Sequence, residues 1–427
     1  MDTIRIIPSI LRGIVNIPPS KSISHRAIIC GALSSDITKI ENIYFSEDID
    51  ATLNGVISLG AKLIYKEKNK YGSYNIAIKG TDGQIAPINN VINCNESGST
   101  LRFLIPFAGL SNTKMVFNGK GNLIKRPLDT YYKIFQHQNI KYYNNRGLLP
   151  LTIDGMLKPD IFKVKGDISS QFITGLLFSL PLLNGDSKII MTTELESKAY
   201  VALTLELLKI FSIDIKNIEY KEFHIKGNQA YKSTDYKVEG DFSQAAFWLS
   251  AGLISDKIQC TDLNKDSIQG DKSIVHTLKH MGGIISDNYI AEPSNLTGIE
   301  FDGSQHPDLV PIIATIASVS QGTTIIKKAS RLRIKESDRL KAISTELNNL
   351  GANIKELDDG LIIMGKKYLN GGLVHSWNDH RIAMSLAIAA IKCKNPVFIK
   401  GASAVKKSYP NFWDDYKMLG GNINEWN

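Results

Sequence analysis

The sequence predicts an α/β protein of two similar domains, each built from three repeats of about seventy residues. Three observations carry this. The chain has 427 residues, 43% hydrophobic and 22% charged, an ordinary globular composition too long for one compact core. A helix tail of the form L-G-A-x-I returns as "LGAKL", "QHQNI", "FSIDI", "MGGII", "LGANI" and "LGGNI". Its glycine-equivalent positions are Gly60, His137, Ser212, Gly282, Gly351 and Gly420, at steps of 69 to 77 residues. Each repeat also holds an earlier helix with a polar or glycine start, marked in turn by Ser22, Gly98, Ser169, Asp241, Asp308 and Asp379.

Glycine closing a helix before an apolar residue is helix-to-strand punctuation. Short β-branched segments bounded by turn residues, such as "KMVFNG", "SKIIMTT", "GTTIIKKA" and "NPVFIKG", read as strands. The unit is therefore two helices and several strands, six times over. A linker is expected near residues 230–240, "AYKSTDYKVEG".

The net charge of +8 suits small anions, nucleic acid or an acidic surface equally. Scattering of the basic residues along the chain weakens the last two. Cys30, Cys94, Cys260 and Cys393 lie far apart without metal-type pairing and read as reduced core thiols of a cytoplasmic protein. The N-terminal residues lack a signal-peptide pattern, and no stretch approaches a membrane-spanning length.

The helix starts carry the chemistry. In "PPSKSISHRA" a helix is expected from Ser22 to Leu33, so Lys21 and Arg26 sit where the helix dipole disfavours cations. Ser22 and Arg26, four apart, would form an anion pocket with the free N–H groups; a capped, solvated basic turn is the alternative. "GDISSQFITGLL" offers Ser169, Ser170 and Gln171 as neutral hydrogen-bonding groups, or simply as a cap. "SRLRIKESDRLKAISTELNNLGANI" buries Leu340, Ile343, Leu347 and Leu350 and places Arg331, Arg333, Lys335, Glu336 and Arg339 at its entrance. That is either a surface ion-pair ladder or a proton-transfer acid among anion-binding bases. "WNDHRIAM" puts His380 and Arg381 after an Asn378 or Asp379 cap. "KRPLDT" and "KKSYPNF" supply Arg126 and Lys407 before helices expected around Pro127 and Pro410. Bases recurring at corresponding entrances of different repeats imply a site for two phosphorylated or carboxylated molecules. Neither a metal signature nor a nucleotide-binding loop accompanies them, so no metal or organic cofactor is expected.

Together, "PPSKSISHRA", "SGSTLR", "GDISSQFITGLL", "RIKESDRL", "NDHRIAM" and "KKSYP" resemble the 5-enolpyruvylshikimate-3-phosphate synthases of the enolpyruvyl transferase family, in order along essentially the whole chain. The resemblance implies three βαβαββ units per domain around a pseudo-threefold axis, an inside-out α/β barrel. It implies one domain of residues 1–17 with 237–427 and another of 18–236, with the active site between them. It also implies transfer of the enolpyruvyl group of phosphoenolpyruvate to the 5-hydroxyl of shikimate 3-phosphate through a tetrahedral intermediate, with release of phosphate. By the same resemblance Lys21, Ser22, Arg26, Ser169, Ser170, Gln171, Ser197, Asp308 and Lys335 contact shikimate 3-phosphate. Lys21, Gly98, Arg126, Gln171, Arg339, Arg381 and Lys407 contact phosphoenolpyruvate. Glu336 is similar to the acid that protonates the methylene carbon and Asp308 to the base that takes the hydroxyl proton, with Lys21 as the third catalytic group.

Where many members read N-A-G-T-x-x-R-P, this chain has Glu96, Ser97, Gly98, Ser99, Thr100, Leu101, Arg102 and Phe103. Two rivals stand beside the reading. One is the sister transferase acting on UDP-N-acetylglucosamine, which typically carries a loop cysteine absent from "GLSNTKMVFNGKGNLIKRP". The other is an RNA 3′-phosphate cyclase-like protein, for which aromatic and basic residues are not interleaved. Expected partners are the two small substrates, with no nucleic acid and no membrane, for a monomer in the cytoplasm.

Overall fold

The computed structural model describes residues 3–69 and 72–425. The helices pair off along the chain. They are α1 (Lys21–Leu33) and α2 (Glu47–Ser58), α3 (Gly98–Ala108) and α4 (Asp129–His137), α5 (Ser170–Ser179) and α6 (Lys198–Ile210), α7 (Phe242–Ile254) and α8 (Ser273–His280), α9 (Val310–Ala317) and α10 (Arg339–Asn349), and α11 (His380–Ala390) and α12 (Phe412–Met418). Among the described residues there are six four-stranded sheets, one per repeat.

The fifth repeat displays the unit. Glu300–Asp302 runs parallel to Thr323–Lys327, which pairs antiparallel with Gly360–Met364, itself antiparallel to Ile354–Leu357. With α9 and α10 between the strands, the chain order is βαβαββ. Three sheets are completed by strands distant in sequence. Gly13–Asn16 lies parallel to Ile258–Thr261, Thr3–Ile7 sits between Val397–Lys400 and Asn422–Glu425, and Tyr236–Lys237 flanks Ile37–Ile43. Two residues of the segment expected as a linker, Tyr236–Lys237, thus belong to a sheet, and the boundary between the two compact units falls at its end, after Glu239. Tyr231 is buried, and its hydroxyl donates to the Phe178 carbonyl at 2.7 Å.

Two compact units divide the chain, Met1–Pro18 with Gly240–Asn427 and Pro19–Glu239, each with its own apolar core. In the first, α7, α9 and α11 are buried at every residue and pack on one another, as helices apolar all round must. The surrounding strands alternate, as in Thr323–Lys327, where Thr324 and Ile326 point inward. Polar groups at the starts of these central helices therefore stand at the edge of a dry core.

The second helix of every repeat ends in a Schellman turn. In the first repeat the Ala61 N–H reaches the Val56 carbonyl at 3.2 Å and Gly60 has φ 114°. The second repeat departs from expectation. His137 is still helical, and the turn falls at Asn139, with φ 56°, where the Ile140 N–H reaches the Phe135 carbonyl at 2.8 Å. Asparagine tolerates the left-handed region, so the motif survives while its letters shift by two. All four cysteines are buried and free. Among the described residues no helix is long and apolar enough to cross a membrane.

Candidate active site

In the unit Pro19–Glu239, Ser20 caps α1, and the first residue of that helix, Lys21, pairs with Asp48 at 3.0 Å. Asp48 lies in the first turn of α2, where the dipole favours an acid. Arg26 is 3% exposed, and its partners are neutral. Nε donates to the Thr204 hydroxyl at 2.9 Å, Nη1 to the Ser22 carbonyl at 2.7 Å and Nη2 to the Tyr200 carbonyl at 3.0 Å, with the Phe103 ring beneath. Burial pulls its pKa down to about 10. A buried guanidinium bound by neutral groups is the arrangement an arriving anion stabilises most.

A line of hydroxyls ties α1 to α3. His25 Nδ1 shares a 2.7 Å hydrogen bond with Thr52, Thr52 one of 2.6 Å with Thr100, and Thr100 donates to Ser97 at 2.7 Å. Ser97 caps α3, whose first residue is Gly98. A Cβ on Gly98 would stand 2.5 Å from Arg126 Nη1 and 3.2 Å from Arg102 Nη1, so only glycine admits both guanidinium groups. Arg102 in turn holds Gln171, donating to Oε1 at 2.8 Å, while Gln171 Nε2 donates to Ser99 at 3.0 Å. Ser169 caps α5, where Ser170 is buried. Ser197 precedes α6 in a left-handed conformation, φ 55°, of the kind that collects at functional sites. Phe103, one of the residues departing from the usual pattern, is a core residue.

In the other unit the charges converge on Arg339, whose side chain is 1% exposed. Nε donates to Asp379 Oδ2 at 2.7 Å, Nη2 to Glu336 Oε2 at 2.7 Å and Nη1 to Asp308 Oδ1 at 2.8 Å. Arg381 Nη2 donates to Asp308 Oδ2 at 3.0 Å and to the Ser243 hydroxyl at 3.1 Å, and Lys335 stands 3.9 Å from Asp308. Lys407 donates to the Asn378 carbonyl at 2.7 Å. Burial works to raise the pKa of Asp308, but Arg381, Lys335 and Arg339 overcome it and hold the carboxyl well below the usual range. Burial pulls Lys335 down to about 8 against the attraction of Asp308.

The structure corrects the reasoning that brought these groups together. The helix begins only at Arg339, with Asp338 as its cap, so Lys335 and Glu336 precede it and their spacing to Arg339 is not helical. A turn of 3₁₀ helix, Ser330–Ile334, followed by a bend over 335–337 delivers them instead. Arg333 follows the ladder reading, pairing with Asp338 at 2.9 Å and Glu356 at 2.8 Å. Asp308 is not a cap; its carboxylate is spent on the two arginines. Sequence reasoning left out Asp48, Arg102, Ser243 and, as more than a cap, Asp379. Their signal was the repeat itself, since Asp379 starts α11 as Asp241 starts α7.

Residues 6–416 match the family described as EPSP synthase (3-phosphoshikimate 1-carboxyvinyltransferase). The chain is 55% identical over 432 residues to a 3-phosphoshikimate 1-carboxyvinyltransferase of Clostridium novyi, covering 100% of this chain and 99% of that protein. It is 54% identical over 429 residues to the protein of the same name from Clostridium acetobutylicum, with the same coverage. A solved EPSP synthase from Acinetobacter baumannii superposes with a TM-score of 0.81 at 24% identity, covering 100% of both chains, which speaks for the fold.

Proposed function

The chain belongs to the EPSP synthase family, and we propose that the polar groups described above carry out its reaction, transfer of the enolpyruvyl group from phosphoenolpyruvate to the 5-hydroxyl of shikimate 3-phosphate with release of phosphate, in the shikimate pathway. One observation supports this assignment most. Carboxylates and cations from two repeats, with the Ser243 hydroxyl from a third, meet around Arg339 and Arg381, which is more charge than a fold requires at a helix start.

Arg26, with Lys21, Ser22, Ser169, Ser170, Gln171 and Ser197, takes shikimate 3-phosphate; the dianion gives the buried guanidinium the counter-charge its neutral partners lack. Asp308 and Lys335 complete that set. Lys21, Gly98, Arg126, Gln171, Arg339, Arg381 and Lys407 take phosphoenolpyruvate. When its anionic groups turn Arg339 and Arg381 toward themselves, Asp308 and Glu336 lose those partners and both become more basic. Glu336 then gives a proton to the methylene carbon, C2 becomes electrophilic, and Asp308 takes the proton of the 5-hydroxyl as its oxygen attacks. The tetrahedral adduct collapses as its methyl group returns a proton to Glu336, the carbon–carbon double bond re-forms and the bond to phosphate breaks, the cations stabilising the departing charge. The reading carries with it a monomer acting in the cytoplasm on two small molecules.

The test is phosphate release from phosphoenolpyruvate with shikimate 3-phosphate, with UDP-N-acetylglucosamine and without acceptor. Release with shikimate 3-phosphate alone is expected; release with the sugar nucleotide instead would overturn the acceptor. A second expectation concerns pH. With Lys335 titrating at about 8, kcat/KM for shikimate 3-phosphate falls above that pH as the ammonium is lost. Lys335→Arg keeps its charge and moves the fall to higher pH. An unchanged alkaline limb in that variant would remove Lys335 from the phosphate contacts.

A further inference from the structure

We propose that Glu346 and Trp377, which touch neither proposed substrate set directly, are positioning residues for the phosphoenolpyruvate contacts Lys407 and Arg339. The inference rests on the function proposed above. Trp377 and Asn378 are consecutive non-glycine residues in the left-handed region, each with φ 55°. Two such residues in a row persist only where their surroundings hold them.

Glu346 is that hold. It is 5% exposed, and its Oε1 accepts the Trp377 indole N–H at 2.6 Å. Oε2 accepts the backbone N–H of His375 at 3.1 Å and the side-chain amide of Asn349 at 3.2 Å. Within the turn, the Trp377 N–H donates to His375 Nδ1 at 2.7 Å and the Asn378 N–H to the Ser376 hydroxyl at 3.2 Å.

The strained turn ends on the site. Its Asn378 carbonyl receives Lys407, and the next residue, Asp379, receives Arg339. Arg339 and Glu346 are both on α10, seven residues and so about two turns apart, on one face. That helix therefore grips the 375–379 segment at two points, through Asp379 at its start and through Trp377 further along. Loss of the second grip lets Trp377 and Asn378 relax toward ordinary backbone angles. The Asn378 carbonyl then turns from Lys407, and the Asp379 carboxylate shifts under Arg339.

Glu346→Gln and Trp377→Phe test this in the full chain. Glutamine keeps one acceptor oxygen where three N–H donors converge, so one side of the grip meets an amide NH₂ instead; phenylalanine keeps a ring and removes only the indole N–H. Each is expected to raise KM for phosphoenolpyruvate about tenfold, the effect of one lost buried hydrogen bond, with KM for shikimate 3-phosphate within about twofold. The double variant should match the worse single one, because both loosen the same hold on the 375–379 turn. Amide exchange across 375–381 should quicken at unchanged exchange elsewhere. Equal rises in both KM values, or a lower Tm with unchanged kinetics and unchanged exchange, overturn the proposal. If the unaltered protein releases no phosphate while the variants still loosen 375–381, the positioning role stands at its structural level and the assignment of substrates falls.

Discussion

Replacement of Arg339 by methionine is expected to abolish turnover and to lower the free energy of unfolding by about 3–5 kcal/mol near neutral pH, because removing one partner of a buried ion cluster leaves the others uncompensated. Asp308, Glu336 and Asp379 all accept from this one guanidinium, and Asp379 is wholly buried. The sign of the pH dependence separates this cause from lost packing. In the unaltered protein the Asp308 pKa lies below its unfolded value, so its contribution to stability is present above the unfolded pKa and disappears as pH falls through the folded one. Without Arg339 the Asp308 carboxyl still faces Arg381 and Lys335 and is held down less strongly than in the parent, so the stability difference between the two proteins should narrow as pH falls from about 4.5 to about 2.5. Urea unfolding of both proteins at the two pH values measures it. Arg339→Lys should recover part of the stability but little activity, since an ammonium cannot present a fork to Asp379 while reaching Asp308 and Glu336. A constant difference between parent and methionine variant across that range would mean that the cluster is not the source of the loss.

How far the sequence discloses this cluster depends on which contacts are local. Arg339 and Glu336 are three residues apart, and their pairing is visible in the string "KESDR". Asp379 meets Arg339 across 40 residues and Arg381 meets Asp308 across 73, distances that only the packing of α9, α10 and α11 closes. The repeat hints at them, because equivalent helix starts face equivalent ways, but it does not say which cap will hold a guanidinium. Arg333 makes the same point from the other side. It sits two residues from Lys335 in the same basic stretch, yet it pairs with Asp338 and Glu356 on the surface of its own helix entrance. Spacing alone does not tell the two apart. The tails of the second helices were legible wherever glycine marks the left-handed residue and misplaced at Asn139, where another residue tolerates the same backbone. The charge reading needs the structure most. Lone cations at helix starts suggested sites short of negative charge, whereas around Arg339 the chain supplies its own carboxylates.

Gly98→Ala should raise KM for phosphoenolpyruvate by about ten- to a hundredfold, equivalent to about 1.4–2.7 kcal/mol, while leaving KM for shikimate 3-phosphate nearly unchanged. The cause is a single methyl group. Gly98 opens α3 with no positive φ, so alanine fits the backbone without strain. Its Cβ, however, would lie 2.5 Å from Nη1 and 3.2 Å from Cζ of Arg126, well inside contact distance, and 3.2 Å from Nη1 of Arg102. Arg126 must swing away from the end of the helix where α3 leaves its N–H groups open to an anion. Arg102 Nη1, which donates to Gln171, lies farther off at 3.2 Å, and its Nη2 donates to the Pro127 carbonyl. The strain therefore falls on Arg126 and on whatever anion it binds. Thermal unfolding provides the control: alanine is at least as good a helix former as glycine, so Tm should hold or rise slightly. A fall in Tm with proportionate loss of affinity for both substrates would mean that the methyl group disturbs the packing of α3 on α5, and that Arg126 does not read phosphoenolpyruvate. Selective loss for phosphoenolpyruvate at an unchanged Tm would place Arg126 on that anion, by an argument independent of the repeats and of any relative.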